Sequence, residues 1–108
     1  MGARTPEGKL KETCRKLARD KLKLFWANVE GKGVNGIPDT EVGKYPAGSG
    51  IIHLEAKRPD KVCTQADFER LYAQQWRRIQ EIRAAGGEAD WYNSYERFCE
   101  LIGYDPDL

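Results

Sequence analysis

The sequence predicts an α/β domain: a mixed central sheet flanked by helices, in the order α-β-β-β-α-β-α. Three observations predict it. Apolar residues recur at helical spacing near the start, at Leu10, Cys14, Leu17 and Leu24. Ile51 to Lys57 alternates like a strand, with Ile52, Leu54 and Ala56 on one face and His53, Glu55 and Lys57 on the other. A second long helical pattern then separates this strand from a short β-prone run near the C-terminus.

Each element has a local reason. Thr5-Pro6-Glu7 opens the first helix, with Thr as N-cap, Pro in the first turn and an acid at the positive end of the dipole. Leu24 to Val29 reads as a short strand, followed by the glycine-rich loop Gly31-Lys32-Gly33-Val34-Asn35-Gly36. Thr40 to Tyr45 reads as a second strand, closed by a turn around Pro46 to Gly50. Pro59 stops the third strand. A long helix is expected from Thr64 to Ala85, ended by Gly86-Gly87. Ala89 to Asn93 completes the sheet, and Ser94 caps a last helix through Ile102. No repeat, linker or low-complexity segment interrupts the chain, so residues 1–108 are expected to form one domain.

Composition narrows the class. With 40% hydrophobic and 32% charged residues among 108, the chain is globular rather than disordered. No apolar run is long enough to span a bilayer, and Met1-Gly2-Ala3-Arg4 opens into charge, so a cytoplasmic protein with no membrane partner is expected. Myristoylation is set aside because Pro6 stands where that motif needs Ser or Thr. Cys14, Cys63 and Cys99 are odd in number and widely spaced, which predicts reduced thiols rather than a disulfide framework or a zinc site. The net charge of +1 hides a gradient: residues 1–23 carry eight Lys/Arg against three Asp/Glu, and residues 88–108 carry one against six. One positive face suited to nucleic acid and a merely solvated basic helix fit this gradient equally well.

Two acids and a lysine carry the chemistry. Glu55 and Lys57 project from one strand face roughly 6.5–7 Å apart, a spacing that can hold a divalent cation beside a phosphate. If strands two and three pair as a hairpin, Asp39 comes close to Glu55. Carboxylates with a backbone carbonyl suit Mg²⁺, which prefers hard oxygen ligands and activates water near neutral pH. Lys57 is placed to orient that water or offset developing charge. A lone Glu-x-Lys is more often an exposed cross-strand pair. The ordered series is more specific: a glycine loop, Gly36-Ile37-Pro38-Asp39, a turn, and an apolar strand ending in Glu55-Ala56-Lys57.

At these residues the chain resembles the virus-type replication-repair nuclease (VRR-NUC) family of the PD-(D/E)xK superfamily, over nearly its whole length. Gly36-Ile37-Pro38-Asp39 is similar to the family's Gly-[hydrophobic]-Pro-Asp motif and Leu54-Glu55-Ala56-Lys57 to its Glu-x-Lys strand. Gln75, eleven residues before Gly86-Gly87, matches its helix motif. The resemblance implies a minimal restriction-endonuclease-like fold. It also implies Mg²⁺ or Mn²⁺ on Asp39, Glu55 and the Ala56 carbonyl, with Lys57 as the catalytic lysine. The chain departs from many short relatives in its longer span from Lys57 to Gln75, around Asp67–Tyr72, which leaves Gln74 as the alternate glutamine. Independently, Gln75 interrupts the helical stripe Phe68, Leu71, Gln75, Ile79 and Ile82, and a buried amide there needs a partner. The family usually draws an acid from its first helix: Glu7, on the core side of Leu10, is preferred to Glu12.

The surroundings supply further expectations. Arg58, Lys61 and Lys32 are candidate DNA-backbone contacts, Arg58 foremost because Pro59 fixes the chain there. His53 is expected to be a packed or half-exposed strand residue rather than a base, and Trp26, Trp76 and Trp91 to be packing residues. For stand-alone members the resemblance implies structure-selective DNA endonuclease activity on branched DNA such as four-way junctions. It also implies a homodimer matching the two-fold symmetry of that substrate, in a phage or prophage setting within a bacterial host. The apolar side of the last helix, Tyr95, Phe98 and Ile102, is one candidate dimer face, though closing the core is its stronger role. A non-catalytic DNA-binding or assembly module retaining the fold is the alternative. A surface Glu-x-Lys pair on an interaction domain is the third reading.

Overall fold

The computed structural model describes residues 5–29 and 36–108. Thr5 caps helix α1 (Pro6–Arg15) by accepting from the Gly8 amide at 3.0 Å, as Thr5-Pro6-Glu7 predicts. The helix then widens into π-helical turns over Lys16–Lys21. Strands β1 (Trp26–Asn28), β2 (Thr40–Gly43) and β3 (Ile51–Ala56) follow, then helices α2 (Gln65–Leu71) and α3 (Ala73–Ala84), strand β4 (Ala89–Tyr92) and helix α4 (Tyr95–Ile102). The sheet runs β1-β2-β3-β4, with β1–β2 and β2–β3 antiparallel and β3–β4 parallel. It is the mixed sheet flanked by helices that the sequence predicts.

Strand alternation divides the core into two layers. Ile52, Leu54, Ala56, Val42 and Tyr92 bury one face against Cys14, Leu17 and Ala18 from the first helical segment and Phe98, Cys99 and Ile102 from α4. On the other face Ala89 and Trp91 pack with Val62, Phe68 and Ile79. Trp91 stacks on Phe68 with ring centroids 5.1 Å apart and planes 3° from parallel. Trp26 and Trp76 also pack on the two clusters, so all three tryptophans are packing residues. Phe98 and Ile102 are fully buried, so that side of α4 closes the core and is not a free dimer face.

One element differs from expectation. The long helix from Thr64 to Ala85 is two helices, broken at Tyr72, whose φ of −130° and ψ of 50° fall outside the helical region. No Gly or Pro announces the break. It changes the helical phase, which leaves Leu71 47% exposed while Phe68 and Ile79 are fully buried. Leu71 therefore leaves the inward stripe. Thr64 and Asp67 form a capping box that starts α2 firmly where Thr64 predicts it.

Candidate active site

The β2–β3 hairpin builds the acidic part of the site. Thr40 pairs with Leu54, so Asp39 falls opposite Glu55 one step beyond the last paired residues. The Asp39 amide donates to Glu55 Oε1 at 3.2 Å. Behind Asp39, Pro38 is fully buried. Gly36 holds φ at +81°, and a Cβ placed there would come within 3.0 Å of the Gln74 carbonyl oxygen. The Gly-Ile-Pro-Asp segment is thus seated against the first turn of α3, and glycine is needed for both the backbone conformation and the close approach.

Glu55 and Lys57 are 6% and 5% exposed, unusual for either residue type. Glu55 Oε2 lies 3.5 Å from Lys57 Nζ, and that ammonium sits 3.6 Å from the centroid of the Tyr72 ring. Burial, reinforced by the Asp39 charge and to a lesser degree by Glu7, pushes the Glu55 carboxyl up to about 7 despite the opposing pull of Lys57. Asp39 Oδ2 accepts from Lys11 Nζ at 2.9 Å, whereas Asp39 Oδ1 is buried without a partner.

The preferred helix acid stands near this centre, since the charge of Glu7 acts on both Glu55 and the Tyr92 hydroxyl. Glu12 instead pairs with Arg15 at 2.9 Å and Lys16 at 4.0 Å. Gln75 is partly buried, and its Oε1 is buried with no partner, while Gln74 has an exposed side chain and meets Gly36 through its backbone. His53 faces its cross-strand neighbour Glu41, with Nδ1 3.8 Å from Oε1, in the strand setting expected of it.

The expected DNA contacts lie just beyond β3. Arg58 is held by Asp60 through two bonds of 3.1 and 2.8 Å, and Lys61 is exposed. Lys32 lies outside the described residues. Arg78 and Arg83 on α3 pair with Glu81 at 2.7 Å and Asp90 at 3.2 Å.

Three residues near the centre have no place in the motifs: Lys11, Tyr72 and Tyr92. Lys11 follows Glu7 by four residues on a capped helix, so the spacing alone puts both on one face. Tyr72 carries no such signal, because the break that aims it is invisible in the sequence. Tyr92 is fully buried with an unpartnered hydroxyl, raised by burial and then by Cys14, Asp39, Glu55 and Glu7.

The donor set fits a hard divalent cation. Two adjacent carboxylates supply hard oxygen donors: Asp39 keeps one buried oxygen without a partner, and burial together with the Asp39 charge raises the Glu55 carboxyl, although Lys11 and Lys57 each pair with one of the two acids. Among the described residues no three His, Cys, Asp or Glu side chains form a metal-ligating group. A cation held there would have two carboxylates from the protein, within the one or two that Mg²⁺ commonly takes beside water and phosphate oxygens.

Comparison with known proteins supports the same architecture. The chain aligns with a solved structure described as a VRR_NUC domain, with a TM-score of 0.70 and 20% sequence identity, covering 93% of this chain and 97% of that one. No family model matches the sequence, and no curated protein matches significantly. The fold is that of a VRR_NUC domain. Among the described residues no helix is long and apolar enough to cross a membrane.

Proposed function

We propose that the chain is a VRR-NUC nuclease that hydrolyses DNA phosphodiester bonds with Mg²⁺ or Mn²⁺ as cofactor. The observation that carries this reading is the Asp39–Glu55–Lys57 centre, in which Asp39 is partly exposed while the Glu55 carboxylate and the Lys57 ammonium lie 3.5 Å apart and both are nearly inaccessible. Sequestering such charges costs several kcal/mol of lost hydration on the order of magnitude expected for buried ions. A module that only bound DNA through its surface would gain nothing from it.

In this reading Asp39, Glu55 and the Ala56 carbonyl would hold the cation, whose chemistry there would be to make water a usable nucleophile and to offset negative charge on the phosphate. Lys57 donates toward the attacking or developing oxyanion. The unpartnered amide oxygen of Gln75 is available to accept from Lys57 or from the attacking water. Glu7 adds negative potential from α1. Arg58 releases Asp60 to meet the DNA backbone beside Lys61, with Lys32 on the preceding loop as a third contact.

The substrate class we assign is branched DNA, four-way junctions foremost, cut by a homodimer whose two centres match the two-fold symmetry of the junction. The test uses labelled duplex, flap, single-stranded and four-way junction DNA with Mn²⁺, alongside sedimentation at micromolar protein. Expected are cleavage, a preference for the junction, and a dimer. No cutting of any substrate with Mn²⁺, or with Mg²⁺ in a parallel series, would refute the nuclease assignment. A monomer with equal rates on junction and duplex would refute only the substrate class.

A further inference from the structure

The break between α2 and α3 has no cause within the helices. Leu71-Tyr72-Ala73 contains neither Gly nor Pro, and the residues on both sides favour continuation. What the break achieves is local. It turns Tyr72 so that its ring rests on the second core cluster, 6.0 Å from the Phe68 ring, and lies 3.6 Å from Lys57 Nζ. A cation attracts an aromatic face out to about 6 Å from the centroid, more strongly when both are withdrawn from water. Among the described residues the Lys57 ammonium has two partners, the Glu55 carboxylate at 3.5 Å and this ring. The carboxylate is long for a hydrogen bond and pulls Lys57 onto Glu55 itself. The ring attracts the ammonium through its face and needs no more than one of the three N–H groups, so it fixes position and leaves the others for oxygen acceptors.

We propose that Tyr72 is a positioning residue for Lys57, a π-face that holds the ammonium beside the carboxylates while leaving it a donor for substrate. The role rests on the nuclease reading for its catalytic meaning, but the contact stands on geometry alone. It also gives a reason for the longer segment between Lys57 and Gln75, which provides the turn that carries the ring.

Two measurements test it. First, the Lys57 Hε resonances of the full chain should be shifted upfield by the ring, and Tyr72→Leu should abolish that shift. Second, Tyr72→Phe and phenylalanines bearing one, two and three fluorines at position 72 keep the shape of the ring while draining electron density from its face. The expected result is cleavage within about twofold of wild type for Tyr72→Phe. Across the fluorine series kcat should then fall stepwise by roughly tenfold, with KM for DNA and Tm unchanged. A purely structural role predicts a flat series, and a flat series overturns the proposal. So does the absence of the upfield shift. If wild-type protein cuts no DNA while the shift is present, the nuclease reading fails and the ring–ammonium contact survives it.

Discussion

Asp39 and Glu55 are joined through the backbone of one and the side chain of the other, the Asp39 amide donating to Glu55 Oε1 at 3.2 Å across the β2–β3 hairpin. The bond fixes the second carboxylate relative to the first before any ligand arrives. It satisfies one oxygen of a buried acid, and the other oxygen lies 3.5 Å from Lys57 Nζ.

Replacing the centre should remove activity without unfolding the protein. Asp39→Asn, Glu55→Gln and Lys57→Ala are each expected to lower cleavage by about a thousandfold or more. Circular dichroism should remain unchanged, because none of the three fills the hydrophobic layers. Ca²⁺ should support DNA binding and little cutting, since its larger and looser coordination misplaces the reacting groups. Wild-type cleavage by Glu55→Gln would end the assignment.

The raised Glu55 carboxyl sets a pH dependence whose sign is fixed. Its folded value, about 7, exceeds the ordinary glutamate value of 4.5, so the folded chain holds an extra proton between those values. The metal-free protein should then lose stability as pH rises from about 4.5 through about 7. At about 1.4 kcal/mol per pKa unit, the loss is on the order of 3 kcal/mol. Mn²⁺, competing with that proton, should bind more weakly below pH 7 and reverse the loss above it. Thermal melts of wild type and Glu55→Gln from pH 5 to 8 check this; an equal slope in both proteins would contradict it.

Gln75→Ala is expected to reduce the rate about 10–100-fold, the range typical of residues supporting a metal centre, with DNA affinity nearly unchanged. Gln74→Ala should behave like wild type, because its exposed side chain can be removed while its backbone keeps the contact with Gly36. Equal rates for the two variants would remove the case for Gln75.

A parallel comparison addresses the first helix. Glu7→Gln should lower activity more than Glu12→Gln, since Glu7 acts electrostatically on Glu55 while Glu12 is occupied by Arg15. It should also lower the Glu55 carboxyl toward its ordinary value, visible as a displaced acid limb in the pH–rate profile. The reverse ranking would transfer the assignment to Glu12.

Gly36→Ala combines left-handed strain with a collision at the Gln74 carbonyl and should cost about 1–3 kcal/mol. Because Asp39 lies three residues downstream of this contact, Mn²⁺ affinity measured by calorimetry should fall along with Tm. An unchanged affinity would show that the loop's seat on α3 does not set the position of Asp39.

The parts of the site that were legible in the sequence are those fixed by short-range geometry. Glu55 and Lys57 share a face because strands have a period of two, and a hairpin between β2 and β3 leaves Asp39 nowhere to go but opposite Glu55. Thr5, Thr64 and Ser94 mark helix starts through the bonds their side chains make to backbone amides. What escaped depends on partners distant in sequence. The break at Tyr72 answers to Lys57 and the aromatic cluster, and Leu71 followed it out of the expected stripe. The bidentate grip of Asp60 on Arg58 and the bond from Lys11 to Asp39 likewise depend on rotamers no spacing rule specifies.

The parallel pairing of β3 with β4 gives the two sides of the site different folding histories. Antiparallel β2 and β3 are joined by a short turn, so Asp39 and Glu55 meet through a local event with little loop-closure entropy. Trp91 can lie beside Glu55 only after the chain has travelled through both α2 and α3 and returned in the same direction. The β4 side of Glu55 and Lys57, where the Lys57 amide donates to the Tyr92 carbonyl at 2.9 Å, is therefore a high-contact-order product, expected to form later than the acid pair. A chain caught between these events holds its two carboxylates together with the lysine still in water. Completion of the Asp39–Glu55–Lys57 cluster thus waits for the crossover to close.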